Sequence, residues 1–298
     1  MNKCGYVAVI GRPNVGKSTL INKIIGEKVS IVTAKPQTTR HQILAIETGK
    51  QGQILFIDTP GMHVDHKKAL NKYMNKTAAA AVIDVDLILF LVISLKWTAD
   101  DEQALKALKH INNTPVILVI NKADLVKNKE KLLPYANKIL QYYDFKEIFY
   151  ISATTGKGTR DLTNKIYQYL PESENYFAED QLTDKSTNYL ISELIREQLM
   201  LRLHQELPYS LTVEIESYKD KGHIVHIHAL IWVEREIQKN MVIGKHGTLL
   251  KHVGINARAE IQDLIGKKVH LKLWTKVKSA WADNARLLQQ LGYKDESL

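Results

Sequence analysis

The segment Gly11-Arg12-Pro13-Asn14-Val15-Gly16-Lys17-Ser18 follows directly on an apolar run, Tyr6 to Ile10, and leads into a stretch of helical character. No other feature constrains the chain as tightly. Glycines between a strand and a helix let the backbone curl until successive N–H groups point at one anion. Lys17 is spaced to reach β- and γ-phosphate oxygens, and Ser18 to offer a hydroxyl to Mg²⁺. The expectation is a nucleoside triphosphate site at the first strand-to-helix turn of an α/β sheet.

Which base is bound is decided elsewhere. Asn121-Lys122-Ala123-Asp124 follows the wholly apolar run Val116 to Ile120, at the carboxyl end of a buried strand where open α/β sheets place their ligands. Asp124 can accept from both N1–H and the exocyclic amine of guanine, a donor pair adenine lacks, while Asn121 and Lys122 brace the loop. Asp58-Thr59-Pro60-Gly61 follows another strand-like run, Gln53 to Ile57; its aspartate suits the Mg²⁺ shell and its Gly61 N–H the γ-phosphate. The polar loop Lys35 to Arg40 offers Thr38 or Thr39 to the metal only while a γ-phosphate is present, which makes it a switch candidate. Ser152-Ala153 ends a strand near Ile148 to Ile151, where a small residue lets a backbone N–H approach guanine O6.

These loops punctuate an alternation of strands (near 5–10, 42–48, 53–57, 87–93, 116–120 and 148–151) and helices (17–26, 67–80, 99–110, 129–143 and 158–170). That order requires a doubly wound, mostly parallel sheet. The apolar stretch Ala78 to Leu95 is interrupted by Asp84 and Asp86, so it reads as a helix end and a core strand rather than a membrane span. The amino terminus enters a strand at once, without the succession expected of a signal peptide. Cys4, the single cysteine, excludes an internal disulfide, fits a reducing cytosol, and reads as a bystander just before the first strand.

Pro171 to Asp184 is acidic, polar and without period, and reads as a linker between residues 1–170 and a second domain over 186–298. In that domain the pattern gives a helix from Ser186, strands Ser210 to Tyr218 and His223 to Val233 around an Asp220-Lys221-Gly222 turn, and a short helix. Gly244-Lys245-His246-Gly247, a helix over 248–265 and a strand Lys268 to Lys278 complete it. A GxxG loop between two helices on a three-stranded sheet is how a KH domain clamps about four nucleotides of single-stranded nucleic acid. Of the formal net charge of +9, the forty residues Lys239 to Lys278 carry nine Lys or Arg against two acids. The positive excess is therefore centred on Ile243, Gly244, Lys245, His246, Gly247 and Lys251, as an electrostatic footprint for RNA would be. His226 and His228 share a strand face and read as a polar surface. Of the tryptophans, Trp232 and Trp274 read as packing residues, which leaves Trp281 for base stacking.

Taken together, GRPNVGKS, QTTRH at 37–41, DTPG, NKAD and Ser152-Ala153 resemble, in order and spacing, the five nucleotide-binding boxes of the translation-factor-like GTPases. With the VIGKHG loop and the Lys276 to Asn284 ending, the chain is similar end to end to a bacterial family of ribosome-assembly GTPases. The resemblance implies an α/β P-loop G domain with a doubly wound, mostly parallel sheet, followed by an α+β type II KH domain. It implies binding and hydrolysis of GTP to GDP with Mg²⁺ held by Ser18, Thr39 and Asp58. It also implies a role in small (30S) ribosomal subunit assembly through 16S rRNA near its 3′ end. Thr39 is favoured over Thr38 because related GTPases keep a threonine directly before the arginine.

Lys17, Ser18, Thr39, Gly61 and Asn14 are the expected catalytic set. Where Ras-like enzymes have a water-orienting glutamine after the DxxG glycine, this chain has Met62, so intrinsic turnover is expected to be slow. Asn14 resembles the asparagine by which related GTPases hold a monovalent cation, K⁺, beside the phosphates. A cytoplasmic monomer is expected, with peripheral contact at the inner membrane left open. The rival reading is an RNA-binding assembly factor that uses nucleotide only as a structural ligand.

Overall fold

The structure is a computed structural model that describes residues 2–61, 69–109, 111, 113–205, 207–291 and 293. The chain divides into two compact units, the first reaching Asp184 and the second beginning at Lys185.

In the first unit six strands form one sheet in the order β2-β3-β1-β4-β5-β6. They are β1 (Lys3–Ile10), β2 (Ile43–Gly49), β3 (Gly52–Asp58), β4 (Leu87–Ile93), β5 (Val116–Asn121) and β6 (Glu147–Tyr150). Only the β2–β3 hairpin is antiparallel; β3, β1, β4, β5 and β6 run parallel, with Val7 opposite Phe56 on one side and Leu87 on the other. Parallel strands need crossovers, here the helices α1 (Lys17–Ile25), α2 (Ala69–Ala80), α3 (Ala99–Leu108) and α4 (Leu132–Leu140); α5 (Thr159–Tyr169) follows the last strand. With helices on both faces, β4 and β5 are apolar along nearly their whole length, Leu87 to Val92 and Val116 to Ile120 all being buried. The chain leaves β1 in one direction across the sheet and returns to β4 on the other side, so the topological switch point lies at the carboxyl end of β1. That is where Gly11 begins.

Most boundaries fall within two residues of those expected. The helix expected over 129–143 is shorter. Asn128 caps a 3₁₀ turn, Lys129–Lys131, by accepting from Glu130 N at 3.0 Å, and α4 proper follows to Leu140. Cys4 lies inside β1, fully buried, rather than before it.

The segment expected to be a linker belongs to the first unit. Gln53 on β3, fully buried, accepts at Oε1 from Tyr176 N (3.1 Å) and Phe177 N (3.0 Å), and its Nε2 donates to Phe177 O at 3.1 Å. Farther along, Ile46 N donates to Leu182 O at 2.9 Å and the Thr183 hydroxyl to Leu44 O at 2.7 Å. The strap thus covers strand edges and residues whose polar groups need partners, which explains its lack of hydrophobic period.

The second unit has α6 (Thr187–Arg202), β7 (Leu211–Asp220), β8 (Ile224–Val233), α7 (Glu236–Ile243), α8 (Thr248–Ile265), β9 (Lys268–Val277) and α9 (Ala285–Gln290). Its sheet has the order β7-β8-β9, the first pair antiparallel and the second parallel. Val225, Ile227, Ala229, Ile231 and Val233 turn one face of β8 inward against Ile195, Leu199, Val253, Ala257 and Ile261. A register shift between Ile215 and Ser217 makes a β-bulge in β7 that simple alternation does not reveal. The tryptophan reading is reversed. Trp281 is fully buried and donates from Nε1 to Ser210 O at 3.2 Å, whereas Trp274, on the outer sheet face, is 56% exposed. Strand alternation sends Trp274 outward; a 3₁₀ turn, Trp281–Asp283, sends Trp281 inward.

Candidate nucleotide and nucleic-acid sites

The phosphate loop is held by side chains from three elements. Gly16 sits at φ +101, and a Cβ there would stand 2.4 Å from Asn121 Nδ2, so glycine is required by the conformation and by the approach of Asn121. Asn121, 2% exposed at the end of β5, donates from Nδ2 to Val15 O at 2.7 Å. Its Oδ1 accepts from Lys122 N (2.7 Å) and Ala153 N (2.9 Å). At Ser152-Ala153, where a backbone N–H is expected to approach guanine O6, the Ala153 N–H hydrogen-bonds Asn121. Lys122, at φ +60, lays its Nζ on Asn14 O at 3.0 Å. Asp124 remains exposed, with no hydrogen bond among the described residues, at the mouth of this bracket.

Lys17 is buried, and its Nζ donates to Gly11 O and Arg12 O at 3.0 and 3.1 Å. Burial lowers its pKa to about 8; the Asp58 carboxylate opposes that shift and the Arg12 guanidinium adds to it. Ser18 Oγ lies 2.9 Å from Thr39 Oγ1 and donates to Asp58 Oδ2 at 2.7 Å. Burial pushes the Asp58 carboxyl up, while the Ser18 hydroxyl and Lys17 pull it back. Thr38 faces away, its hydroxyl paired with Thr33 Oγ1 and Lys35 O at 2.7 Å each. The structure therefore brings Thr39, not Thr38, to Ser18 and Asp58. Asn14, at φ +62, donates from Nδ2 to Ala34 O at 2.8 Å, tying the phosphate loop to the switch candidate. A cleft lined by Asn14, Gly16, Lys17, Ser18, Thr39 and Gly61 opens between the two loops. Thr59 supports its floor by donating to Val9 O at 2.9 Å. Met62, His63 and His66 lie outside the described residues.

Two residues, Asn22 and Asp101, escaped the sequence reading, and a third, Arg12, makes a contact it did not reveal. Asn22 on α1 accepts from Val29 N and Ser30 N at 3.0 Å each, shaping the entry to the switch loop. Arg12, read from the sequence as part of the nucleotide loop, directs its Nε to Asp101 Oδ2 at 2.9 Å. The Thr98-to-Asp101 spacing is a capping-box signal that marks Asp101 as a helix residue but says nothing of Arg12.

In the second unit α7 ends at Ile243 and Gly244 turns the chain at φ +74 into a 3₁₀ turn, Lys245–Gly247. Lys245 and His246 are exposed, and Thr248 Oγ1 donates to Lys245 O at 2.9 Å. Beside the loop, Gly247, Leu250, Lys251, Gly254, Arg258 and Leu273 line a shallow groove with cations at its rim and an apolar floor. Such a groove accepts a phosphodiester backbone at the glycines and bases against the floor.

A family model described as a 50S ribosome-binding GTPase matches residues 6–122, and one for the KH domain matches 206–282. The chain is 50% identical over 292 residues to GTPase Era of Coxiella burnetii, covering 98% of each. Among solved structures it is similar to an Aquifex aeolicus Era variant bound to GDP.AlF4⁻, at TM-score 0.94 and 37% identity, covering 98% of this chain and 100% of the other. It is also similar to Era in complex with MgGDPNP and nucleotides 1506–1542 of 16S ribosomal RNA, at TM-score 0.95 and 36% identity, covering 99% of this chain and 100% of that one. A phosphate loop, an NKAD loop and a GxxG groove on this fold, with identity extending end to end, place the chain in the Era family of GTPases.

Proposed function

We propose that this GTPase is a GTP-driven switch that binds 16S rRNA near its 3′ end during assembly of the small ribosomal subunit. The observation that carries the switch is the convergence of Ser18, Thr39 and Asp58 oxygens from three separate segments within hydrogen-bond distance. All are hard oxygen donors, and Asp58 Oδ1 is buried with no hydrogen-bond partner among the described residues, which fits a Mg²⁺ shell. Bound there, Mg²⁺ would neutralise charge on the β- and γ-phosphates. Lys17 would leave the Gly11 and Arg12 carbonyls for the phosphate oxygens, and Gly61 would offer its N–H to the γ-phosphate. Loss of that phosphate would free Thr39 and the loop behind it.

RNA binding is supported by the exposed Lys245-His246 pair, by Lys251 and Arg258 on the groove rim, and by similarity to an Era bound to 16S rRNA nucleotides. Potassium is the co-ion we propose for hydrolysis. Asn14 reaches the switch backbone at Ala34, so an ion held between its amide oxygen and nearby carbonyls would lie beside the phosphates. No helix of the described residues is long and apolar enough to cross a membrane. A cytoplasmic monomer suffices for this reading, which needs no peripheral membrane contact.

The test is RNA affinity and turnover together. A 16S 3′-end oligonucleotide should bind more tightly with a GTP analogue than with GDP or without nucleotide, and should accelerate GTP hydrolysis. Equal affinity in all three states with unstimulated hydrolysis would mean that nucleotide is a structural ligand only.

A further inference from the structure

The phosphate loop is fastened unevenly. Its later carbonyls, at Asn14 and Val15, are held by Lys122 and Asn121 from the NKAD loop. Its opening carbonyls, at Gly11 and Arg12, receive, among the described residues, only the cation of Lys17, the group that must leave them to meet phosphate. A different anchor holds this end. Arg12 is 8% exposed, and its Nε donates to Asp101 Oδ2 at 2.9 Å. Asp101, the third residue of α3, is fully buried. The same Oδ2 also accepts from Thr98 N and Thr98 Oγ1 at 2.9 Å each. One carboxylate oxygen thus joins the N-terminus of α3 to the loop.

The geometry argues against the guanidinium as a phosphate ligand. A side chain that met phosphate would face the cleft, yet Arg12 is absent from the cleft lining that includes its neighbours Pro13 and Asn14. Its Nη2 and Asp101 Oδ1 are both buried without a hydrogen-bond partner among the described residues. A pair that is incompletely bonded yet almost fully desolvated is weak as a source of stability, since its desolvation cost offsets the attraction. Its value lies in fixing one arrangement.

We propose that Arg12 and Asp101 form a positioning pair for GTP and GDP, an ion pair that clamps the start of the phosphate loop to α3 so that Lys17 and the loop N–H groups meet the phosphates at the required distance. The pair acts on the loop, which both nucleotides use, and not on the γ-phosphate.

Two single variants and one double variant of the full chain test this, with GDP and a non-hydrolysable GTP analogue as probes. Asp101→Asn and Arg12→Met should each weaken both nucleotides by the same factor, roughly tenfold or more. In Arg12→Met/Asp101→Leu, apolar side chains of similar bulk fill the site, so the melting temperature should return to near the wild-type value. Nucleotide affinity should stay low, because no polar link then sets the loop. Recovery of affinity together with melting temperature would reduce the pair to a packing role and overturn the proposal. So would a loss confined to the GTP analogue in Arg12→Met with tighter binding in Asp101→Asn, the signature of an arginine that binds phosphate once released. Unchanged affinity in both singles would overturn it as well.

Discussion

Asn121 and Val15, 106 positions apart, are joined by a 2.7 Å hydrogen bond from the asparagine amide to the phosphate-loop carbonyl. The NKAD loop and the phosphate loop are therefore one bonded unit. A glycine at position 16 is what lets the amide come so close.

Because Asn121 and Lys122 are occupied in bracing, we propose that base selection falls to Asp124, whose side chain is exposed. A bidentate carboxylate contact of this kind contributes on the order of 1–3 kcal/mol of discrimination. Asp124→Asn should weaken GTP and favour xanthosine triphosphate, whose added carbonyl needs a donor. Competition binding of the two nucleotides measures this, and a variant that keeps its full preference for GTP would refute the base assignment.

The two glycines of the GxxG loop differ in what they do. A Cβ at Gly244 would stand 2.7 Å from Leu249 Cβ, whereas one at Gly247 meets nothing within 4 Å, although both sit at φ +74. Gly244→Ala should therefore lower the melting temperature more than Gly247→Ala, which carries only the left-handed backbone cost of about 1 kcal/mol. Lys245→Asp/His246→Asp should abolish RNA binding while melting temperature and GTP affinity stay near wild type, since both side chains are exposed. Retained RNA affinity in that double variant would remove the nucleic-acid assignment.

Hydrolysis should run faster in potassium than in sodium salts at equal ionic strength. Asn14→Ala should erase the difference while leaving GTP binding largely intact, because the amide reaches Ala34 in the switch loop rather than a group that holds the base. Equal wild-type turnover in the two salts, with and without RNA, would point to a catalytic group supplied by the partner.

Gln53→Leu should loosen the strap. The amide satisfies Tyr176 N, Phe177 N and Phe177 O in a fully buried position, and stranding those groups costs on the order of 3 kcal/mol in all. Amide hydrogen exchange at Tyr176 and Phe177 should rise sharply, with little change at β4 and β5. Unaltered exchange would show that the neighbouring bonds of Leu182 and Thr183 hold the segment by themselves.

The sequence by itself determined the features that depend on short spacing: the placement of the phosphate loop after β1, NKAD after β5, the DTPG loop and the GxxG turn, and the order of strands and helices around them. Each is a local pattern whose meaning is set by backbone curvature, strand burial or helix period within a dozen residues. Tertiary structure decided which side chains meet across the chain. Arg12 sits in the phosphate-loop motif, but no local pattern gives its side-chain partner, Asp101, which lies 89 positions away. Pro171 to Asp184 looked like a free linker because strap residues satisfy polar edges rather than fill a core, so they carry no hydrophobic period. Trp274 and Trp281 exchanged their expected places for a related reason. Composition marks both as candidates for burial, but only the direction of a strand face and the turn after it decide which one meets water.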